Sequence, residues 1–205
     1  MRTRLSTEQR REQLLAIGAG LFAARPHDEV RIEEVAEIAQ VSRGLLYHYF
    51  PTKKEFFAEI LRTHRDRLLA MSEPDPSLPV AEQLRLGLDV YLEFARTHPD
   101  GYRIVHRSAD DADREIREIC AEGVYANAER ILAVVGRVRE VTPVTRLAVR
   151  GWLAFVAALI LDWLDEPKIS QDELRDLCVR TLFAAVDVAP SAVSGEVREG
   201  PHTGI

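Results

Sequence analysis

Arg43, Gly44, Tyr47 and His48 fall at i, i+1, i+4 and i+5, a spacing that puts them on one side of a helix. Leu46, Tyr49 and Phe50 share the other side. A cationic, aromatic front with one small residue, set on an apolar back, suits a helix that lies in a DNA major groove. Such a helix must be held from behind. Ile32, Val35, Ala36 and Ala39 recur at i, i+3, i+4 and i+7, the stripe of a preceding amphipathic helix. The period breaks at Gln40-Val41-Ser42, and Ser42 can cap the next helix by accepting from its free N–H groups. Pro51 ends that helix, because the residue before a proline is pushed out of helical space. Thr52 and Glu55 then form a capping box with Lys53 and Lys54 in its first turn. Cations at a helix N-terminus cost up to about 1 kcal/mol, and a phosphate lying there reverses the sign.

Val41-Ser42, the run Tyr47-His48-Tyr49-Phe50 and Thr52-Lys53 together resemble the DNA-binding domain of TetR-type transcriptional regulators. The resembling segment spans about a quarter of the chain. The resemblance implies an all-α protein of about nine helices. Residues 1–51 would form a three-helix DNA-binding domain with a helix-turn-helix, and residues 52–187 a helical ligand-binding and dimerisation domain. It further implies DNA contacts from Arg31, Ser42, Arg43, Gly44, Leu45, Tyr47, His48, Tyr49, Lys53 and Lys54. Three positions depart from the usual pattern. Gln40 stands where the turn often has glycine, Leu45 where a small or hydroxyl residue is common, and Arg31 where Ser or Thr often opens the first helix of the motif. A left-handed Gln40 would cost roughly 1–2 kcal/mol.

The chain has 205 residues, enough for one small and one medium domain, and a net charge of −6. The charge is uneven. Residues 1–54 carry nine Lys+Arg against seven Asp+Glu, and the remainder carries 18 against 26. A basic end on an acidic body fits contact with phosphates at one end only. Cys120 and Cys178 are far apart, with no CxxC and no His pair at metal-ligand spacing, as expected of a reduced cytoplasmic chain. Met1-Arg2-Thr3-Arg4 leads into a polar helix start rather than the apolar run of a signal peptide. Gly151 to Leu164 is the most apolar stretch, is interrupted by Asp162, and is too short to span a bilayer. No membrane association, cofactor or metal is expected. GxSxG, HExxH, a phosphate-cradling glycine loop and a dinucleotide-binding fingerprint are all missing, so no catalytic residue is proposed.

Along the chain, Ser6-Thr7-Glu8-Gln9 has the form of a capping box opening a first helix, with Leu14, Ile17, Leu21 and Phe22 on one face. Arg2, Arg4, Arg10 and Arg11 cluster at its start, either as a solvated end or as an arm reaching phosphates beside the groove. Arg25 to Val30 is a connecting loop. The helix after Thr52 runs to about Met71, and Ser72 to Pro79 is a loop by composition. Helices are then expected over Val80–Thr97, Pro99–Arg107, Asp113–Val138, Pro143–Asp165 and from Ser170 onward. Asp110, Asp111 and Asp113 are expected to complement a helix N-terminus rather than to hold a metal. Residues 188–205, rich in Pro, Gly, Ser and charge, are expected to be a flexible tail.

GWLAFVAALILDWL is apolar nearly all round, so a helix built from it must be covered on two sides. One side can be its own core and the other a second copy. Candidate dimer residues are Phe155, Leu159, Asp162, Trp163, Leu174, Leu177, Cys178, Thr181 and Leu182. The resemblance places a pocket between Val80 and Leu164, with Tyr91, Phe94, Tyr102, His106, Tyr125, Trp152 and Phe155 as candidates. Each is equally a candidate for plain core packing. The set suggests a hydrophobic or amphipathic small-molecule effector. The implied protein is a homodimeric regulator, more often a repressor, of double-stranded palindromic operator DNA. A DNA-binding protein whose C-terminal half only dimerises stays open beside it.

Overall fold

The computed structural model describes residues 5–111 and 113–187. Among them are nine α-helices and no strand: α1 Thr7–Ala24, α2 Ile32–Ala39, α3 Arg43–Tyr49, α4 Lys53–Met71, α5 Val80–Thr97, α6 Pro99–Arg107, α7 Arg114–Val135, α8 Pro143–Asp165 and α9 Gln171–Asp187. Arg2, Arg4 and the expected tail over residues 188–205 lie outside the described residues.

Local chemistry sets most boundaries. Ser6 accepts from the Gln9 N–H at 3.1 Å while the Gln9 side chain accepts from the Ser6 N–H at 2.9 Å, which satisfies two end groups of α1 reciprocally. Thr52 accepts from the Glu55 N–H at 3.1 Å, Thr142 from Thr145 at 3.2 Å and Ser170 from Glu173 at 3.2 Å. Asp113 caps α7 by accepting from the Glu115 N–H at 2.9 Å. Two segments differ from expectation. The connection after α1 contains a 3-10 turn, His27–Glu29, and α7 stops at Val135 because the backbone tightens into successive turns from Gly136 to Arg139.

Two apolar cores result. The first joins α1 to α4 around Leu14, Val35, Leu46 and Phe56, and it takes in Ile104 of α6 and Ile116, Ile119 and Cys120 of α7. Each such buried side chain contributes about 1.5–3 kcal/mol of transfer free energy. The second core lies among α5 to α9 around Leu92, Val149, Ile160, Leu174 and Leu182. Helix α4 is the continuous element: its first half packs in the first core, and its later turns wall a cavity among the C-terminal helices.

Helix α8 corrects the length argument made for Gly151–Leu164. The whole helix has 23 residues and, by length and composition, could cross a membrane. Here Val149, Trp152, Val156 and Ile160 face the chain's own core, while Val144, Leu147, Gly151 and Phe155 are exposed.

Candidate DNA-binding surface and adjoining cavities

The turn between α2 and α3 is tight because Gln40 is left-handed, at φ 54° and ψ 47°. It is the one non-glycine residue with positive φ among the described residues. Its N–H bonds back to the carbonyls of Ala36 and Glu37. Ser42 then accepts from the Leu45 N–H at 3.1 Å and starts α3. Leu46 and Phe50 anchor the back of α3 in the first core, leaving Arg43, Gly44, Tyr47 and His48 exposed in front.

Carboxylates of α2 engage this front. The Tyr47 hydroxyl donates to Glu33 Oε1 at 2.7 Å, and Arg43 Nη2 lies 3.7 Å from Glu37 Oε1. The Tyr47 bond lowers the Glu33 pKa and raises that of Tyr47. Glu34 gathers two arginines. It accepts from Arg25 Nη2 at 2.6 Å, and from the N–H and Nε of Arg31 at 3.3 and 3.4 Å. Arg31 therefore closes the start of α2 through Glu34. Leu45 and Tyr49 are half-buried, and the Tyr49 hydroxyl donates to the Thr7 carbonyl at 3.4 Å. Lys53 Nζ donates to the Asp28 carbonyl at 3.4 Å. Lys54 turns the other way. Its Nζ lies 2.9 Å from Asp113 Oδ2 and 3.0 Å from Glu115 Oε2, and these two bonds, Asp113 first, raise its pKa. Arg62 and Arg65 of α4 continue the row to Glu115 and Glu122 of α7, at 3.0 and 2.7 Å.

Three cavities adjoin α4 or the C-terminal core. An outer one, about 610 Å³ with its open mouth, is walled by Gln83, Leu84, Leu88, Arg130, Trp152 and Val156 among others. An inner one, about 550 Å³ including its own open mouth, is walled by Leu61, His64, Phe94, Tyr102, Val105, His106 and Ile119 among others. Tyr91 and Asn127 line both. A third, about 610 Å³, opens between α1, α4 and α6. His64 and Gly101 line both the inner and the third cavity, and a methyl group on Gly101 would sit 1.7 Å from Cε1 of His64.

Of the pocket candidates, Tyr91, Phe94, Tyr102 and His106 line the inner cavity, and Tyr91 and Trp152 the outer one. Tyr125 is 66% exposed and Phe155 39%, and neither lines a cavity described here. Trp152 donates its Nε1–H to the Cys178 carbonyl at 2.9 Å. His64, Gln83, Asn127 and Arg130 were missed. His64 carried a signal, since it shares the spacing of Leu61 and Leu68 on one face of α4. Burial lowers both His64 and His106 to about 4, with the fields of His98 and Arg67 adding to the effect at His64. Burial also holds the Tyr102 hydroxyl well above its ordinary range and lifts both Cys120 and Cys178 to about 11.

The dimer candidates divide as well. Leu174, Cys178 and Leu182 are buried in the chain's own second core, and this corrects their assignment to an outer face. Their stripe is the inward side of α9. Leu177 and Thr181 are half-buried at its edge, where Thr181 donates to the Leu177 carbonyl at 3.0 Å. Leu159 and Trp163 are half-buried, with Trp163 Nε1 donating to the Ile169 carbonyl at 2.9 Å, and Asp162 is exposed.

Comparison with known proteins agrees with this geometry. The family model "Bacterial regulatory proteins, tetR family" matches residues 14–60, and "Tetracyclin repressor-like, C-terminal domain" matches residues 80–185. The HTH-type transcriptional activator FasR of Mycolicibacterium smegmatis is 28% identical over 131 residues, which span 60% of this chain and 60% of FasR. The HTH-type transcriptional regulator YhgD of Bacillus subtilis is 25% identical over 177 residues, 82% of this chain and 92% of YhgD. A crystal structure of a tetR-family transcriptional regulator from Streptomyces coelicolor superposes with a TM-score of 0.77 at 29% identity, covering 90% of this chain and 83% of that one. With a recognition helix presented by a helix-turn-helix at one end and the C-terminal family pattern over just over half its length, this chain belongs to the TetR family of DNA-binding transcriptional regulators.

Proposed function

We propose that the chain acts in the cytoplasm as a homodimeric repressor that leaves a palindromic operator when a hydrophobic or amphipathic small molecule fills its cavities. The observation that carries this reading is the course of α4. Its start is capped one turn from the recognition helix, and Leu61, His64, Arg65 and Leu68 of the same helix wall the inner cavity. A molecule that binds there acts on the DNA-binding end only through a difference in affinity between the DNA-competent and incompetent arrangements. In this reading residues up to Pro51 read the DNA through Arg43, Gly44, Tyr47 and His48, and Lys53 contacts phosphate. Residues 52–187 hold effector and partner. FasR is named an activator, so the sign of regulation is tested with a reporter gene rather than carried over.

The second copy would cover Val144, Leu147, Gly151 and Phe155, which recur at i, i+3, i+7 and i+11 on the exposed side of α8. Helix-turn-helix dimers place two recognition helices about 34–36 Å apart, or a multiple, so losing the dimer loses most operator affinity. Leu147 is 71% exposed, and a charge there spares the fold of one chain. The test is sedimentation of Leu147→Glu/Phe155→Glu beside affinity for a DNA site selected in vitro. A folded monomer with strongly weakened binding is expected. A variant that stays dimeric with wild-type affinity refutes the face, and a monomer that binds tightly refutes the two-headed mechanism.

A further inference from the structure

Two buried polar atoms among the described residues lack a hydrogen bond of good geometry, the Tyr102 hydroxyl and Nδ1 of His64, and the polar neighbour of the Tyr102 hydroxyl is the hydroxyl of Tyr91, on the same cavity wall. Unpaired groups of this kind are rare in folded interiors, and each calls for an explanation. Both side chains line the inner cavity, and Tyr102 is only 4% exposed. We infer that the inner cavity receives the uncharged oxygen end, a hydroxyl or carbonyl, of a long apolar molecule whose body passes Tyr91 and Asn127 into the outer cavity. This inference rests on the effector reading above and names the chemistry of its ligand.

The argument concerns what the two atoms accept and what charge the walls tolerate. A phenol O–H needs an acceptor, and a neutral imidazole nitrogen can take either role. A hydroxyl can serve either atom, and a carbonyl can serve Tyr102. Among the described residues no carboxylate lines the inner cavity, so an ammonium group would be buried there without a counter-charge. A carboxylate fares no better. Among the described residues Arg65 is the one guanidinium on the lining, and it is already matched by Asp66 at 2.8 Å and Glu122 at 2.7 Å. His64 and His106 stay neutral near pH 7 because burial holds them at about 4. The remaining walls are largely apolar, through Leu61, Phe94 and Ile119 inside and Leu84, Leu88 and Ile131 outside. Arg130 borders the outer cavity, where it donates to the Leu69 carbonyl and, at 3.3 Å, to Ser72 Oγ.

The experiment is calorimetric titration of the full chain and of Tyr102→Phe with 1-decanol and with decanoate at pH 7.5. Tyr102→Phe removes a hydroxyl whose polar neighbour is that of Tyr91, and an unchanged unfolding transition verifies its fold. The wild type is expected to bind decanol about tenfold or more tightly than decanoate, which would bury an unmatched charge. Tyr102→Phe should weaken decanol about threefold to tenfold, the range for one net hydrogen bond, and leave decanoate unaffected. Equal or tighter binding of decanoate, an unchanged decanol affinity in Tyr102→Phe, or no binding of decanol overturns the inference. Release from the selected DNA site is measured in parallel. Tyr102-dependent decanol binding without release leaves the ligand site standing and sinks the effector reading. Release by decanoate alone does the reverse.

Discussion

Gln40→Gly should stabilise the protein, and the size of the effect follows from the backbone. Gln40 sits at φ 54° and ψ 47°, squarely left-handed. A side chain there costs roughly 1–2 kcal/mol, because Cβ crowds the carbonyl oxygen. Glycine removes that cost, but its unfolded chain has more freedom to lose, by roughly 0.5–1 kcal/mol. The backbone difference leaves about 0.5–1 kcal/mol in favour of glycine, from which the contact made by the Gln40 side chain is subtracted. The closing bonds from the Gln40 N–H to the Ala36 and Glu37 carbonyls are main-chain and survive the change. For a chain of this size 1 kcal/mol moves the melting temperature by about 2–4 °C. Urea unfolding and calorimetry of the wild type, Gln40→Gly and Gln40→Val measure it. Glycine should raise the midpoint and valine, β-branched at a positive φ, should lower it. Glycine at or below the wild type would show that the Gln40 side chain contributes more than the strain it imposes. DNA affinity should stay within about twofold, because the turn angle is unchanged.

Arg43→Ala should weaken specific DNA binding by about 1–3 kcal/mol with an unchanged thermal transition, as for a lost bidentate base contact; unaltered affinity in gel-shift titrations refutes the docking. Lys53→Ala should weaken specific and non-specific DNA alike and lower the salt slope by about one per subunit, and a wild-type slope means that Lys53 serves only its bond to the Asp28 carbonyl. Stability should fall as pH drops from about 6.5 to about 4. His64 and His106 are held near 4 in the folded chain, so within that window the unfolded chain binds more protons and acid favours unfolding. Denaturation of His64→Gln/His106→Gln across the window should give a flatter profile, and an identical slope refutes the assignment.

Much of this architecture was legible because local chemistry and periodicity agree. Ser6 and Thr52 cap the helices they were expected to cap, and Thr142 and Ser170 cap α8 and α9 in the same way. The stripe Ile32, Val35, Ala36 and Ala39 is buried throughout. What was not legible depends on which helix packs against which. Leu174, Cys178 and Leu182 form a stripe whether they face the chain's own core or a partner, and only the packing of α9 on α5 and α8 turns them inward. Tyr125 and Tyr102 look alike in sequence, yet one lies on the outside of α7 and the other inside α6. Lys54 and Lys53 are neighbours one helical step apart, and that step of about 100° sends one cation toward α7 and the other toward the loop after α1. His64 shares the spacing of the apolar stripe of α4, and a buried histidine in such a stripe becomes notable only when its Nδ1 is found without a hydrogen bond.

The contact between Gly101 and His64 brings α6 close against α4. With no room for even a methyl group, α6 and α4 touch there as a fulcrum, and the inner and third cavities lie where His64 and Gly101 border both. A helix that rocks about such a point cannot widen both spaces together. If the proposed effector props open the inner space, α4 would be pressed toward α1 through its own Ile60, Thr63 and Arg67, which line the third cavity together with Leu15, Ala16 and Ala19 of α1. Such a lever would need no flexible hinge in α4, only a bearing surface small enough to pivot on, as the Gly101 contact is.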